Sequence, residues 1–134
     1  MGKKPAIIYI ALALSIAFLV CSSYILNRAL NNSAERVAGP LEKLSHSLAS
    51  NEDLKLPEIT IYFQESKKQW KKNEKWWQML IDHRESHSIA TSFIRLEQLL
   101  EQKDKKESQL EVAQLLFLVQ HLPDQMKASP ENII

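Results

Sequence analysis

An uncharged, strongly apolar run near the N-terminus constrains this chain more than any other feature. No Asp, Glu, Lys or Arg occurs between Lys4 and Arg28, and residues 6–26 read AIIYIALALSIAFLVCSSYIL. A helix rises about 1.5 Å per residue, so a run of this length spans about 31 Å, the thickness of the hydrocarbon core of a bilayer. Residues 6–26 are therefore predicted to form a transmembrane helix.

The charges that flank this run predict its orientation. Lys3 and Lys4 precede it, whereas Arg28 stands alone close to its other end. Basic residues favour the cytoplasmic side, so residues 1–5 are predicted to be a cytoplasmic tail and the C-terminal domain to be extracytoplasmic. The alternative is a cleavable signal peptide cut near Val20-Cys21-Ser22, which would leave a secreted domain.

The rest of the chain reads as helical. Gly2 and Gly39 are the only two glycines, and neither glycine nor proline occurs between Pro57 and Pro123. Hairpin turns usually need such residues, so strands are disfavoured. The predicted fold class is all-α, with a single N-terminal transmembrane helix followed by a small helical hairpin or bundle.

Turn signals divide the part after the membrane run. Gly39-Pro40 is predicted to break the chain within a segment 27–56 that forms a helical stalk and a short amphipathic helix. A helical domain is predicted over 57–122, followed by an irregular C-terminal tail over 123–134.

Within the domain, two helix boundaries can be read from the sequence. Asp82 and Glu85 match a capping box, so one helix can end near Ile81 and another begin near His83. The lack of glycine and proline equally allows one long helix over 57–101, and the sequence leaves both options open. Residues 103–108 contain no apolar side chain and are predicted to form a turn before a final helix that begins at Leu110 and ends before Pro123.

Composition excludes several classes of function. With 17 basic and 16 acidic residues the net charge is +1, which gives no global signal for nucleic acid. The single cysteine, Cys21, excludes a disulfide framework, and two glycines exclude a glycine-rich phosphate loop. We predict neither a cofactor nor an enzymatic activity.

A basic and aromatic cluster occupies residues 67–77, KKQWKKNEKWW. Trp70 and Trp77 are seven residues apart and are predicted to face the core, with the lysines on the solvated face. Trp76 cannot share that face and is the best candidate for an exposed contact residue. Nucleic acid is an improbable partner of an extracytoplasmic domain, and anionic lipid headgroups are the other option for the lysines.

Two histidines have a spacing that suits a metal site. His83 and His87 lie four residues apart with Glu85 between them, so their side chains would share one face of a helix. In the zinc-protease motif a glutamate follows the first histidine directly, but here Arg84 holds that position. Surface histidines near a helix start are the simpler interpretation, and no metal is predicted.

The C-terminal half resembles a known family. The resemblance rests on Trp70, Trp77, Leu80-Ile81-Asp82-His83-Arg84-Glu85, Ile89, Arg95-Leu96, Leu115-Leu116, His121-Leu122 and the closing Glu131-Asn132-Ile133-Ile134. These residues are similar to those of the small membrane-anchored bacterial family called domain of unknown function 4363, found mainly in Bacillus- and Clostridium-type, often spore-forming, organisms. The resemblance implies a mostly helical protein with one membrane helix. It also implies an accessory subunit, because such proteins are often encoded near multi-pass membrane proteins.

Three functional hypotheses follow, in decreasing order of support. The first is a non-enzymatic, membrane-tethered interaction module whose partners are the bilayer and an integral membrane protein, with homo-oligomers allowed. The second is an extracytoplasmic sensor with a ligand pocket lined by Trp77, His83 and His87, and the third is a metal-dependent enzyme. The predicted interaction residues are Trp76, Lys67, Lys71, Lys75, His83, Glu85, Ile133 and Ile134.

Overall fold

The structure, a computed structural model, describes residues 3–50 and 57–125 of the 134-residue chain. Four helices account for almost all of them: α1 (Lys3–Ser50), α2 (Pro57–Leu80), α3 (His83–Glu101) and α4 (Lys105–Gln125). These described segments contain no strand, so the predicted all-α fold class is confirmed. The chain divides into two units, Met1–Asn31 and Asn32–Ile134.

Residues 3–29, which make up most of the first unit, contribute no side chain to a core. Every side chain from Lys3 to Ala29 is exposed, including large ones such as Tyr9 and Phe18. Ser15 satisfies its hydroxyl locally by donating to the carbonyl oxygen of Ala11 at 2.8 Å, as small polar residues do in apolar helices. The helix is long and apolar enough to cross a membrane, and a signal sequence near the N-terminus has the same properties.

The second unit buries one apolar face of each of its helices. These residues follow one another at spacings of three, four or seven along each helix, which places them on a single side. The largest core contributions are Val37, Leu41, Leu44, Leu48, Ile59, Phe63, Trp70, Trp77, Ile89, Phe93, Leu96, Val112, Leu115, Val119 and Leu122. At the centre, the Phe93 ring lies 6.3 Å from the Phe63 ring and 6.4 Å from the Trp70 ring, measured between centroids.

The predicted break at Gly39-Pro40 is wrong, because α1 continues through both residues to Ser50. Proline inside a helix loses one backbone hydrogen bond and costs about 3 kcal/mol. Val37, Leu41 and Leu44 are fully buried around it, and burying each such side chain gains about 1.5–3 kcal/mol. Packing of this face therefore outweighs the local cost of the proline.

The junction between α2 and α3 settles the choice between one helix and two. α2 ends at Leu80, and α3 begins at His83 after Asp82. The Asp82 carboxylate accepts a hydrogen bond from the Arg84 backbone N–H at 2.9 Å, which caps the otherwise unsatisfied first turn of α3. The capping signal in the sequence identifies this boundary correctly.

The turn between α3 and α4 is shorter than predicted. Lys103 adopts a positive φ of 57°, and the N–H groups of Lys103 and Asp104 donate to the carbonyls of Leu100 and Leu99, both at 3.1 Å. This is the Schellman arrangement that ends many helices, usually with glycine at the positive-φ position.

Both predicted ends of the final helix are corrected by the structure. α4 begins at Lys105 rather than Leu110, because the Asp104 carboxylate caps it by accepting from the Glu107 N–H at 3.2 Å. At the other end, α4 includes Pro123, which is buried, and extends to Gln125.

Candidate interaction surfaces

The two sides of α2 differ sharply. One side carries the buried residues Ile59, Phe63, Ser66, Trp70 and Trp77. The indole N–H of Trp77 donates to the Ser33 hydroxyl at 3.2 Å, and the Ser66 hydroxyl donates to the Val37 carbonyl at 2.8 Å. The prediction that Trp70 and Trp77 face the core is confirmed.

Lys67 belongs to the edge of this core rather than to the open surface. It is half-buried, its Nζ lies 3.0 Å from Oε2 of Glu97, and the same atom is 5.9 Å from the centre of the Phe63 ring. Lys67 thus joins α2 to α3, and its charge is already paired.

The opposite side of α2 is exposed and basic. Six exposed residues make up this side, and we call them the Lys–Trp face: Lys68, Lys71, Lys72, Lys75, Trp76 and Met79. They lie at helical spacings that keep them on the side away from Trp77. Trp76 is 59% exposed and Met79 is 79% exposed, so two large apolar side chains stand among four cations.

The lysines of the Lys–Trp face have no ion pair within the described part of the chain. The acidic residues nearest in sequence bind elsewhere: Glu65 accepts from the amide of Gln69 at 3.2 Å, and Glu74 accepts from the amide of Gln78 at 3.4 Å. Within residues 3–50 and 57–125, the positive charge of this face is therefore not compensated by ion pairs.

The residues proposed from sequence around the start of α3 differ in exposure. His83 and His87 are exposed, Glu85 is half-buried, and Trp77 is buried and bonded to Ser33. Across residues 3–50 and 57–125, no group of three or more His, Cys, Asp or Glu is placed to hold a metal ion. Trp77 is fully buried, so it shares no open surface with His83 and His87, and the sensor pocket stays a prediction.

A different polar pocket, of about 220 Å³, lies between α3 and α4. It is lined by His87, Ser88, Thr91, Ser92, Arg95, Glu111 and Gln114. Glu111 is its distinctive member, because it is an acidic side chain that is only 8% exposed. Its Oε1 accepts from the Ser92 hydroxyl at 2.7 Å, and its Oε2 lies 3.6 Å from the Arg95 guanidinium.

The sequence reasoning missed Glu111, although a signal for it exists. Ser108, Val112 and Leu115 are buried, and Glu111 lies three or four residues from each of Ser108 and Leu115, on the same side of α4. A charged residue inside an apolar stripe is uncommon and is usually paired. The pairing partners, Ser92 and Arg95, come from another helix and follow no local pattern.

The exposed side of α4 carries an apolar row. Leu110, Ala113 and Phe117 follow at spacings of three and four, and Leu110 and Phe117 are 58% and 59% exposed. The imidazole of His121 lies 4.1 Å from the Phe117 ring, and its Nδ1 is 2.8 Å from the Phe117 carbonyl oxygen. We call Leu110, Ala113 and Phe117 the α4 apolar row.

Ile133 and Ile134, predicted as contact residues, lie outside the described residues. The interaction roles of Trp76, Lys67, Lys71, Lys75, His83 and Glu85 stay predictions, and the structure adds which of these side chains are accessible. Trp76, Lys71, Lys75 and His83 are exposed, whereas Lys67 and Glu85 are half-buried.

Comparison with known proteins identifies one family. No curated protein and no solved structure matches the chain. The family described as domain of unknown function DUF4363 matches residues 24–133, which is well over half of the chain and includes every helix of the second unit. The chain therefore belongs to the DUF4363 family.

Proposed function

We propose that the protein is a membrane-tethered, non-enzymatic accessory protein whose helical second unit binds an integral membrane protein. One observation carries the proposal. The same chain contains an apolar helical segment, residues 3–29 of α1, with no side chain buried, and a helical unit that keeps its own core while leaving large apolar side chains exposed. The first feature supports a tether, and the second supports a contact surface.

The tether is supported by the length and composition of the N-terminal part of α1. An apolar helical segment that is exposed at every position, as residues 3–29 are, needs nonaqueous surroundings, because each of its large side chains otherwise meets water. Confinement to a membrane also raises the effective concentration of any partner in the same membrane, so a small contact area suffices.

The α4 apolar row supports a protein partner. Leu110 and Phe117 are not needed for the core, which Val112, Leu115 and Val119 supply from the same helix. Aromatic side chains in exposed positions are frequent anchors of protein interfaces. Ile94 of α3, also 59% exposed, adds a further apolar contact residue.

We further propose that the second unit is extracytoplasmic, because Lys3 and Lys4 outnumber the single Arg28 close to the other end of the apolar run. Protease treatment of intact cells tests this placement. Digestion of a C-terminal tag without cell lysis supports it, and protection of the tag until lysis contradicts it.

Site-specific photocrosslinking in cells tests the partner. A photoreactive amino acid at Phe117 should form a defined adduct with a membrane protein, which is identified by mass spectrometry. The matched control is the same amino acid at Lys43, an exposed position in the part of α1 that belongs to the second unit. Adducts of equal yield and pattern at Phe117 and Lys43 contradict the proposal. So does the absence of adducts both at Phe117 and at Ile94, where the same amino acid is placed in a third variant.

A second function, binding of a small polar ligand, is favoured by the pocket around Glu111. Among the described residues, Oε2 of Glu111 is paired only with Arg95, at 3.6 Å, so it can still accept a hydrogen bond from a ligand. A shift in the melting temperature of the full chain in detergent, screened against amino acids and small amines, tests this function. A shift that persists in Glu111→Gln would contradict binding at this pocket.

A further inference from the structure

We infer that the Lys–Trp face of α2 binds the anionic phospholipid headgroups of the membrane that holds the protein. The inference rests on the tether of the proposed function and adds a lipid contact to it. It concerns a different surface from the α4 apolar row, which is left for a protein partner.

The charge on α2 provides the first argument. Lys68 and Lys72 are four residues apart, as are Lys71 and Lys75, and like charges at this spacing repel one another along a helix. Glu65 and Glu74 are bonded to glutamines and form no ion pair with these lysines. A negatively charged surface would relieve the repulsion, and lysines close to anionic lipid are attracted to it.

The apolar members of the face provide the second argument. Trp76 and Met79 project on the same side as the lysines and are among the most exposed large side chains of the second unit. Tryptophan favours the boundary between headgroups and hydrocarbon, because its ring is apolar and its N–H is polar. Lysine side chains can lie along an apolar surface while their ammonium groups stay in the headgroup layer.

A nucleic-acid partner is disfavoured by the burial of the other two tryptophans. Single-stranded nucleic acid is bound by several aromatic rings on which successive bases stack. Trp70 is 2% exposed and Trp77 is fully buried, so this cluster offers only Trp76 for stacking. Binding to a bilayer does not require several exposed aromatic rings. If residues 6–26 span the membrane, a bilayer also lies next to every copy of the protein.

Fluorescence in lipid nanodiscs tests the inference with the full-length chain. In a Cys21→Ser background, which removes the only native cysteine, Met79→Cys carries the environment-sensitive fluorophore NBD. The control carries NBD on Phe117→Cys, a position of comparable exposure on α4. Discs contain either phosphatidylcholine alone or phosphatidylcholine mixed with phosphatidylglycerol.

The expected result is a blue shift and an intensity gain for the label at position 79 in the anionic discs but not in the neutral discs. The label at position 117 should give the same spectrum in both. Raising NaCl to about 1 M shortens the Debye length to about 3 Å and should abolish the shift at position 79.

Charge-removal variants assign the effect to the face. Substituting Lys68, Lys71, Lys72 and Lys75 together by glutamine should abolish the shift at position 79. The matched control removes four charges elsewhere, by substituting Lys43, Lys103, Lys105 and Lys106 with glutamine, and should keep the shift. Equal melting temperatures of the two variants show that both are folded.

The possible failures can be told apart. Incorporation into both kinds of disc without a shift at position 79 overturns the lipid contact and leaves the tether standing. An equal shift at positions 79 and 117, or a shift that survives removal of the four lysines, overturns the role of this face. A chain that enters neither disc contradicts the tether, and the lipid contact with it.

Discussion

The two units of this protein differ in how far their apolar side chains are buried. Residues 3–29 present every side chain to the outside, whereas the helices of the second unit bury one stripe each and expose mainly polar residues. Residues 3–29 therefore bury no apolar surface within the chain, whereas the second unit forms its own apolar core. Apolar residues surround the helix on all sides in residues 3–29, whereas in the helices of the second unit they recur every three or four residues on one side.

The largest expected effect comes from placing charges in the uniformly apolar helix. Leu12→Arg with Ile16→Arg should abolish retention of the protein in the membrane fraction, since each arginine near the centre of a span costs about 2.5–3.5 kcal/mol. Leu110→Arg with Phe117→Arg is the control: these two side chains have nearly the same exposure as Leu12 and Ile16 but belong to the second unit. Sedimentation of membranes after alkaline washing measures retention, and equal loss from both variants would refute the contrast.

Within the second unit, the position of a residue on its helix should decide its effect on stability. Ile89 is fully buried and Ile94 is 59% exposed, although both belong to α3. Ile89→Ala should lower the free energy of unfolding by about 2–5 kcal/mol. Ile94→Ala should change it by no more than about 0.5 kcal/mol. Urea unfolding of the two detergent-solubilised variants measures the difference, and similar midpoints would contradict the core described above.

The two buried tryptophans allow a finer comparison. Trp77 donates its N–H to Ser33, whereas the Nε1 of Trp70 is buried without a hydrogen-bond partner among the described residues. Replacement by phenylalanine removes the same atoms from both, but only Trp77→Phe removes a hydrogen bond. We expect Trp77→Phe to lower the free energy of unfolding by about 1–3 kcal/mol more than Trp70→Phe, because the latter removes a buried N–H that has no hydrogen bond to lose. A larger loss for Trp70→Phe in urea unfolding would reverse this assignment.

The spacing of apolar residues predicts most of this architecture because burial dominates the energetics of a helix face. It places Ile59, Phe63, Trp70 and Trp77 on the buried side of α2, and Trp76 on the exposed side. The capping signal at Asp82 marks the position of the α2–α3 boundary because capping is a local interaction, but only the structure decides between one helix and two.

Features that depend on residues distant in sequence could not be predicted in this way. α1 passes through Pro40 because Val37 and Leu41 are buried in the core of the second unit, and this burial opposes the local preference for a break. Glu111 is buried where its carboxylate accepts a hydrogen bond from Ser92, nineteen residues earlier in the chain. Local patterns contain no information on such partners.

Backbone conformation should have a smaller effect than side-chain burial, and Lys103 offers a test. This exposed lysine has a φ of 57°, in the region where a Cβ atom is unfavourable and glycine is not. Lys103→Gly should raise the free energy of unfolding by about 1 kcal/mol, because the native turn then contains no strained residue. The control is Lys103→Ala, which keeps the Cβ atom and removes the charge, and it should leave the free energy of unfolding unchanged. An equal increase in both variants would mean that loss of the charge, not relief of backbone strain, stabilises the protein.

The smallest expected effect is at Gly39, which is the converse of Lys103. Gly39 lies inside α1 without a positive φ, and a Cβ atom added there would meet no atom within 4 Å. Glycine loses more conformational freedom on folding than alanine, so Gly39→Ala should stabilise the second unit by about 0.5–1 kcal/mol. A shift of the urea midpoint to higher concentration with an unchanged slope is the expected result. A loss of stability would instead mean that the turn of helix before Pro40 requires the freedom of glycine, so that burial of Val37 and Leu41 alone does not carry α1 through the proline.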